Sequence, residues 1–312
     1  MATSTSQTRK PVSEAERERR STARKAQAEA MQASLATQVE AMASGEQWKA
    51  FLDHAQSFHK YSFSNMMLIL AQHPTATKVA GFDQWCAKGR VPRKGEKGIK
   101  IYGYSVKKTT DEVTGKEKRE VYYPLWTVFA QDQTVEFEGD EIKLGNKTIK
   151  VKHRESEHPA RLLEGEDTAQ IGQRVIKYVI GHGWNFEFED IAGSSNGYTT
   201  QDGSKRVVVD IKLSPIMAVK TSLHEAAHML LHTSEEGMKT LRDTAELEAE
   251  SVAYIVGGLL GLDTTDYSIG YLTGWAEGDG EAVKATATRV LKTAHIIIEA
   301  LDPSTPEAEE KE

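Results

Sequence analysis

The segment L-H-E-A-A-H-M-L-L-H at 223–232 constrains this chain more than any other. It places His224 and His228 four residues apart with Glu225 between them. On an α-helix, positions i and i+4 share a face one turn apart, so two imidazoles there can share one tetrahedral metal ion. Glu225 then projects beside them, able to take a proton from a metal-activated water. Leu223, Ala227, Leu230 and Leu231 supply an apolar face, so the helix must be packed, which is what keeps ligands still. The pattern predicts a helix over 214–232. The preceding R-V-V-V-D-I at 206–211 is expected as a strand beside it, forming a wall of the cleft.

Two histidines and a glutamate can reach this spacing by chance on an exposed helix, so a third ligand decides. Eighteen residues after His228 begins E-L-E-A-E-S-V-A-Y, on a second predicted helix over 241–260. Ala245, Ala249, Val252, Ala253 and Val256 form its buried stripe. Glu246 and Glu250 flank that stripe on one side and Glu248 on the other. The one-sided pair suits a metal ligand plus a carboxylate that orients a ligating histidine. We assign Glu246 as the ligand and Glu250 as the orienting carboxylate, a choice that helical spacing alone does not make. His232 sits another turn on, about 6 Å along the axis from His228, and is read as a packed or substrate-facing residue. Two His and one Glu leave a fourth position open, the mark of a catalytic site. The expected chemistry is metal-assisted hydrolysis with Zn²⁺ or Mn²⁺. Glu225 acts as general base and then returns the proton to the leaving amine. An oxyanion donor is expected among His232, Tyr198, Tyr254, Tyr267 and Tyr271.

Composition narrows the setting. Among 312 residues there are 46 acids and 39 bases, a net charge of −7, which excludes a generally basic coat but not a local basic patch. The single cysteine, Cys86, excludes an intrachain disulfide and a Cys-rich metal site, and is expected as a small buried hydrophobe. No apolar run approaches the ~18 residues of a membrane helix, and the first residues lack the apolar stretch of a secretory signal. A cytoplasmic protein with no membrane partner is expected.

Along the chain we expect five segments. Residues 1–44 form a disordered or partly helical extension whose thin apolar stripe argues against a core role. Residues 45–138 form a first α+β domain, 139–166 a linker with one hairpin turning at Gly145–Asn146, 167–301 a second domain, and 302–312 a disordered acidic tail. In the first domain, Trp48, Phe51, Leu52, Ala55 and Phe58 recur at helical spacing. A second helix through Met66, Met67, Ile69 and Leu70, capped by Ser62 or Ser64, stops before Pro74. A short strand at 77–80, a short helix at 82–87 and two strands at 100–106 and 120–130 follow, with Thr114–Gly115 near the tip. In the second domain Ile171, Val175, Tyr178 and Val179 line a helix. Strands at 184–187, 198–200 and 206–211 follow, and a last helix covers 281–301.

Between Gln84 and Lys108 stand eight bases and one acid, Glu96. Lys88, Arg90, Arg93, Lys94, Lys97 and Lys100 are the candidate phosphate contacts. Trp85 and Tyr102 are the candidate stacking platforms, with Tyr104, Tyr122, Tyr123 and Trp126 nearby. Cationic grooves plus aromatic rings are what single-stranded nucleic acid requires. A solvated lysine-rich loop over buried aromatics fits the same composition.

The segment Y-S-F-S-N-M-M-L-I-L-A-Q-H-P-T-A-T-K-V-A-G-F-D-Q-W at 61–85, then G-R-V-P-R-K-G-E-K-G-I-K-I at 89–101 and V-F-A-Q-D-Q-T at 128–134, resembles the N-terminal domain of ArdC-like antirestriction proteins. The His224–His228 motif with residues 246–254 resembles that family's zincin-type metallopeptidase domain, itself similar to ImmA/IrrE-like peptidases. The resemblance covers about 45–262. It implies single-stranded DNA binding by the first domain, a His-His-Glu metal site in the second with Glu246 in the ligand register, and a DNA-protection role on plasmids or phages. Position 250 is Glu where related peptidases often carry Asn or Asp. The readings left open are a DNA-binding metallopeptidase acting on an unidentified protein, a DNA-binding protein whose metal site is structural or vestigial, and an interaction scaffold.

Overall fold

The computed structural model describes residues 45–58, 60–103, 105–110, 117–139, 141–144, 147–150, 166–263 and 279–301, with isolated positions at 19, 22, 30, 33, 37, 39 and 42. The expected tail at 302–312, most of the extension at 1–44, the two turn tips, Tyr104, Tyr267 and Tyr271 lie outside these residues.

Helix α1 (Gly45–Phe58) buries Trp48, Phe51, Leu52, Ala55 and Phe58, the stripe its spacing dictates. Two isolated positions before it, Val39 and Met42, are buried in the same core, so this stretch contributes to the interior that its composition argued against. Helix α2 (Phe63–Gln72) starts where Ser62 accepts the Asn65 backbone N–H. Strand β1 (Val79–Gly81), helix α3 (Phe82–Ala87) and strand β2 (Arg90–Pro92) follow. The expected strand pair is a long bent hairpin of four segments: β3 (Ile99–Tyr102), β4 (Ser105–Thr110), β5 (Glu117–Tyr122) and β6 (Leu125–Ala130). It breaks at Gly103, whose N–H reaches Pro124 O at 2.7 Å, since Pro124 has no N–H to continue the ladder. Strand β6 lies between β1 and β3, antiparallel to both.

Strand β3 is therefore an edge. Its open backbone groups are met by two side-chain amides of α2, seven residues and so two turns apart. Asn65 takes the Tyr102 N–H at 2.8 Å and donates to Tyr102 O at 2.8 Å. Gln72 treats Lys100 in the same way, at 2.9 and 2.8 Å. These bonds stand in for a neighbouring strand and blunt the edge.

A 3₁₀ turn (Gln131–Gln133) leads to β7 (Thr134–Glu136), which pairs with β2. The hairpin β8 (Glu141–Leu144) and β9 (Lys147–Lys150) forms around the expected turn and sets Ile142 and Ile149 against Cys86.

Helix α4 (Glu166–Gly181) buries Ile171, Val175 and Val179. Strands β10 (Asn185–Glu189), β11 (Gly197–Thr199) and β12 (Arg206–Asp210) form a sheet in the order β10-β12-β11. The expected wall strand, β12, is instead the central strand, with Val207, Val208 and Val209 fully buried, and the edge strand β11 lines the cleft. Three helices complete the fold: α5 (Pro215–Leu231), α6 (Arg242–Leu259) and α7 (Gly280–Leu301). The architecture is α+β.

One apolar cluster runs through both halves, from Trp48 and Phe51 to Val252 and Ile297. Helix α1 packs on α6 through a hydrogen bond from Trp48 Nε1 to Ser251 Oγ at 2.9 Å. Lys49 reaches Tyr254 Oη at 3.1 Å, and that hydroxyl donates to Asp53. Among the described residues no helix is long and apolar enough to cross a membrane.

His54 of α1 packs on the Phe58 ring at 4.6 Å, and its buried Nε2 has no hydrogen-bond partner. Burial lowers its imidazole to about 4. The unfolded chain therefore binds the proton more readily than the fold does. His54 contributes stability fully above about 6.5 and loses it as the pH falls toward 4. Melting temperatures measured across this window should fall more steeply for the wild type than for His54→Leu; parallel profiles would refute the assignment.

Candidate functional site

Helix α5 begins with Ser214 in the N-cap position and Pro215 in the first turn, where the missing N–H costs nothing. Leu223, Ala226 and Ala227 are fully buried, which turns His224 and His228 toward a cleft of about 760 Å³. Helix α6 buries Leu247, Ala249, Val252, Ala253 and Val256, which turns Glu246 and Glu250 to the same cleft.

The structure brings three donor atoms together. His224 Nε2 and His228 Nε2 lie 3.0 Å apart, and Glu246 Oε2 lies 3.4 Å and 3.7 Å from them. A tetrahedral ion with metal–nitrogen bonds of ~2.0–2.1 Å spaces its ligands at about 3.3 Å. The triangle therefore has the dimensions of a metal site, and a His₂Glu donor set suits a divalent ion such as Zn²⁺ or Mn²⁺. Each imidazole has its far nitrogen occupied. His224 Nδ1 lies 3.0 Å from Glu250 Oε2, and His228 Nδ1 lies 3.0 Å from His232 Nδ1.

Burial disfavours charge on His224, but its hydrogen bonds to Glu246 and Glu250 outweigh this and push the imidazole up to about 10. The facing imidazoles, His224 first and then His228, hold the Glu246 carboxyl well below the usual range. A cation is thus already favoured between these side chains, and a divalent ion must displace a proton to bind.

Glu225 is 5% exposed and lines the same cleft. Burial pushes its carboxyl up, against the opposing pull of His224, His228 and the Thr199 hydroxyl. Thr199, on β11, lies 2.8 Å from Glu225 Oε2 and holds that carboxylate oxygen. Strand β11 comes this close because residue 197 is glycine: a Cβ there would stand 2.7 Å from Thr221 Cγ2 and 3.2 Å from Glu225 Cγ. Neither Thr199 nor Gly197 carries a signal in the sequence, since their role arises from strand placement.

The other expected residues divide. His232 is 1% exposed and packed behind His228. Tyr198 lines the cleft, with its hydroxyl 3.0 Å from Glu189 Oε2. Tyr254 is not an oxyanion donor to this cleft, because its hydroxyl is engaged with Asp53 and Lys49 of α1.

In the first half, Trp85 is corrected: it is 3% exposed, its indole N–H is given to Phe129 O at 2.7 Å, and it offers no open face. Lys88, Arg93, Lys94 and Lys97 are exposed. Arg93 is paired with Glu96, Arg90 bonds Thr134 and Glu136, and Lys100 Nζ contacts Thr127 Oγ1. Buried Gln133 shapes this basic loop, taking the Ala130 N–H and donating to Glu96 and to Lys97 O. Tyr102 lines a second concavity of about 1130 Å³ together with Lys60, Tyr123 and Trp126. Tyr123 is 66% and Trp126 52% exposed, so these rings, rather than Trp85, face outward. The Trp126 indole lies over Gly103, where a Cβ would stand 2.3 Å from it.

Residues 25–148 match the family described as the N-terminal domain of anti-restriction factor ArdC. The chain is 26% identical over 281 residues to an uncharacterized protein of Bacillus anthracis, a match covering 78% of this chain and 46% of that protein. The chain thus spans about half the length of that relative. Among solved structures, metal-free ArdC from plasmid R388 aligns with a TM-score of 0.48 at 20% identity, covering 77% of this chain and 85% of that one. The Mn(II)-bound structure of ArdC from the same plasmid gives 0.45 at 19% identity, covering 78% and 86%.

If the three donors hold an ion, Zn²⁺ at a hundred times its Kd should stabilise the fold by about 2.7 kcal/mol. The shift in melting temperature should vanish in His228→Ala and shrink in Glu246→Gln. Because His224 must lose a proton, apparent affinity should rise with pH through neutrality. Equal shifts in wild type and His228→Ala would exclude this site.

Proposed function

We propose that this chain, whose residues 25–148 match the N-terminal domain of the ArdC antirestriction family, binds single-stranded DNA with its first half and hydrolyses peptide bonds with its second, protecting DNA in the cell. The observation that carries the hydrolytic part is the triangle of His224, His228 and Glu246 donors beside buried Glu225.

His224, His228 and Glu246 would hold a divalent ion there, which would supply Lewis acidity when bound. Glu225, beside the donor triangle, is placed to accept a proton from an attacking water and to return it to the leaving amine. Burial raises its carboxyl above the ordinary carboxylate range, which favours the proton-carrying form that the second of these tasks needs. Thr199 holds one carboxylate oxygen, which leaves the other for the reacting proton. Glu250 orients His224. Strand β11 is an edge strand lining the cleft, and such edges accept an extended peptide as an added strand.

The DNA-binding part rests on different features. Tyr102, Tyr123 and Trp126 present rings along one concavity, and unpaired bases stack on such rings without regard to sequence. Exposed Lys88, Lys94 and Lys97 lie on the basic loop of the same half and supply cations for the phosphates. Arg90 and Arg93, already engaged with Glu136 and Glu96, contribute less.

Glu225→Gln should leave Zn²⁺ and DNA binding unchanged and lower cleavage of a quenched fluorescent peptide library by roughly 10²–10⁴-fold. Wild-type protein that binds Zn²⁺ and cleaves nothing would favour a non-catalytic metal site.

Trp126→Ala should weaken binding of labelled oligo-dT by about 1–3 kcal/mol, while Trp85→Phe should leave it unchanged. The affinity should fall steeply with added salt. Salt-insensitive binding, or no binding, would remove the DNA reading and leave the metal site untouched.

A further inference from the structure

Behind His228 lies a buried polar chain that the hydrolytic reading does not use. His232 and Glu248 are each 1% exposed. His232 Nδ1 lies 3.0 Å from His228 Nδ1, and His232 Nε2 lies 3.0 Å from Glu248 Oε2. The other oxygen of Glu248 receives the Arg289 guanidinium of α7, with Nε at 2.8 Å. Arg289 also donates to Thr286 Oγ1 at 3.1 Å.

Donor and acceptor rules give this chain a direction. An ionised carboxylate only accepts, so the proton facing Glu248 is on His232 Nε2. A neutral His232 then carries a lone pair at Nδ1, and the facing His228 Nδ1 must supply the proton. That leaves His228 Nε2 bare, at 3.0 Å from His224 Nε2 and 3.7 Å from Glu246 Oε2. Either end of the chain is fixed: Glu248 by Arg289, and His228 by its helix. Three apolar side chains of similar volume would fill this space at less desolvation cost, but would select no tautomer.

We propose that His232, Glu248 and Arg289 form a positioning relay that holds His228 as an Nε2 donor to a divalent cation, so that α7, which contributes none of the three donor atoms, sets the metal affinity. The proposal rests on the metal reading of His224, His228 and Glu246. His232, Glu248 and Arg289 are positioning residues and take no part in the reaction itself.

The test is Zn²⁺ affinity of the full chain, read by competition with a chromophoric chelator, for wild type, His228→Ala, His232→Phe, His232→Gln and Arg289→Gln. His232→Phe should bind Zn²⁺ roughly 10–100-fold more weakly. His232→Gln should recover most of the loss, because its amide oxygen accepts the His228 Nδ1 proton and its NH₂ faces Glu248. Long-range ¹H–¹⁵N spectra of metal-free protein should show His228 protonated on Nδ1 in the wild type, and on Nε2 in an increased fraction of His232→Phe. Zn²⁺ binding that is lost in His228→Ala yet unchanged in a folded His232→Phe overturns the relay alone. If His232→Phe does not fold, Arg289→Gln decides, since the Arg289 side chain is 46% exposed: unchanged affinity and tautomer overturn the relay, and weakened affinity supports it. Wild type that binds Zn²⁺ no better than His228→Ala removes the metal reading and the relay with it.

Discussion

The contact between α5 and α6 is the constraint from which the rest follows, because those two helices carry all three donor atoms between them. Helices pack at axial separations set by the side chains between them, and small ones let the backbones approach. Ala226 and Ala227 occupy the turn between the two histidines, and Ala249 and Ala253 follow Glu246 on α6; all four are fully buried. Were they large, Glu246 would stand too far from the imidazoles to close the triangle. The alanines of the H-E-A-A-H motif are thus part of its geometry, and the motif's metal character depends on a partner helix as much as on its own spacing.

Much of this was legible in the sequence wherever one face of an element is buried and the other is not. Helices expected over 214–232, 241–260 and 281–301 are found at Pro215–Leu231, Arg242–Leu259 and Gly280–Leu301. The hairpin around 145–146 pairs Leu144 with Lys147. The failures share a physical cause: they concern which element lies against which. Strand β12 reads as a cleft wall by adjacency in sequence, yet its run of valines marks a strand covered on both sides. Trp85 sits among lysines and so reads as a platform, but its place on the short helix α3 turns it inward. Asn65 and Gln72 read as ordinary helix residues. That they clamp the edge of β3 depends on a strand thirty residues away. Of the three glutamates on α6, composition could not tell that Glu248 is the buried one, because its partner Arg289 comes from a third helix.

The two halves also share more than a chain. The apolar cluster that begins at Trp48 continues into α6, and α1 meets that helix through Trp48–Ser251 and the Lys49–Tyr254–Asp53 contacts. Ser251 is the residue after Glu250 and Tyr254 lies one turn further on. The helix that brings Glu246 to the histidines is therefore braced from behind by the first helix of the other half. Losing that brace would expose large rings such as Trp48 and Phe51, whose burial is worth about 1.5–3 kcal/mol for a Phe-sized side chain.

Electrostatics divides the molecule differently. The chain is acidic overall, at −7, and Glu248 and Glu250 are among the acids that hold a histidine or an arginine in place. The exposed bases Lys88, Arg93, Lys94 and Lys97 face solvent, where the Debye length is about 8 Å at physiological salt. Their reach toward a polyanion is short-ranged and salt-dependent. The charges around His224 sit in a cleft where screening by solvent ions is much weaker, so their mutual attraction persists at high salt. Salt is therefore a lever that acts on the first surface and spares the second. A ligand of the basic loop released by salt would leave the geometry of the donor triangle, and the tautomers behind it, as they were.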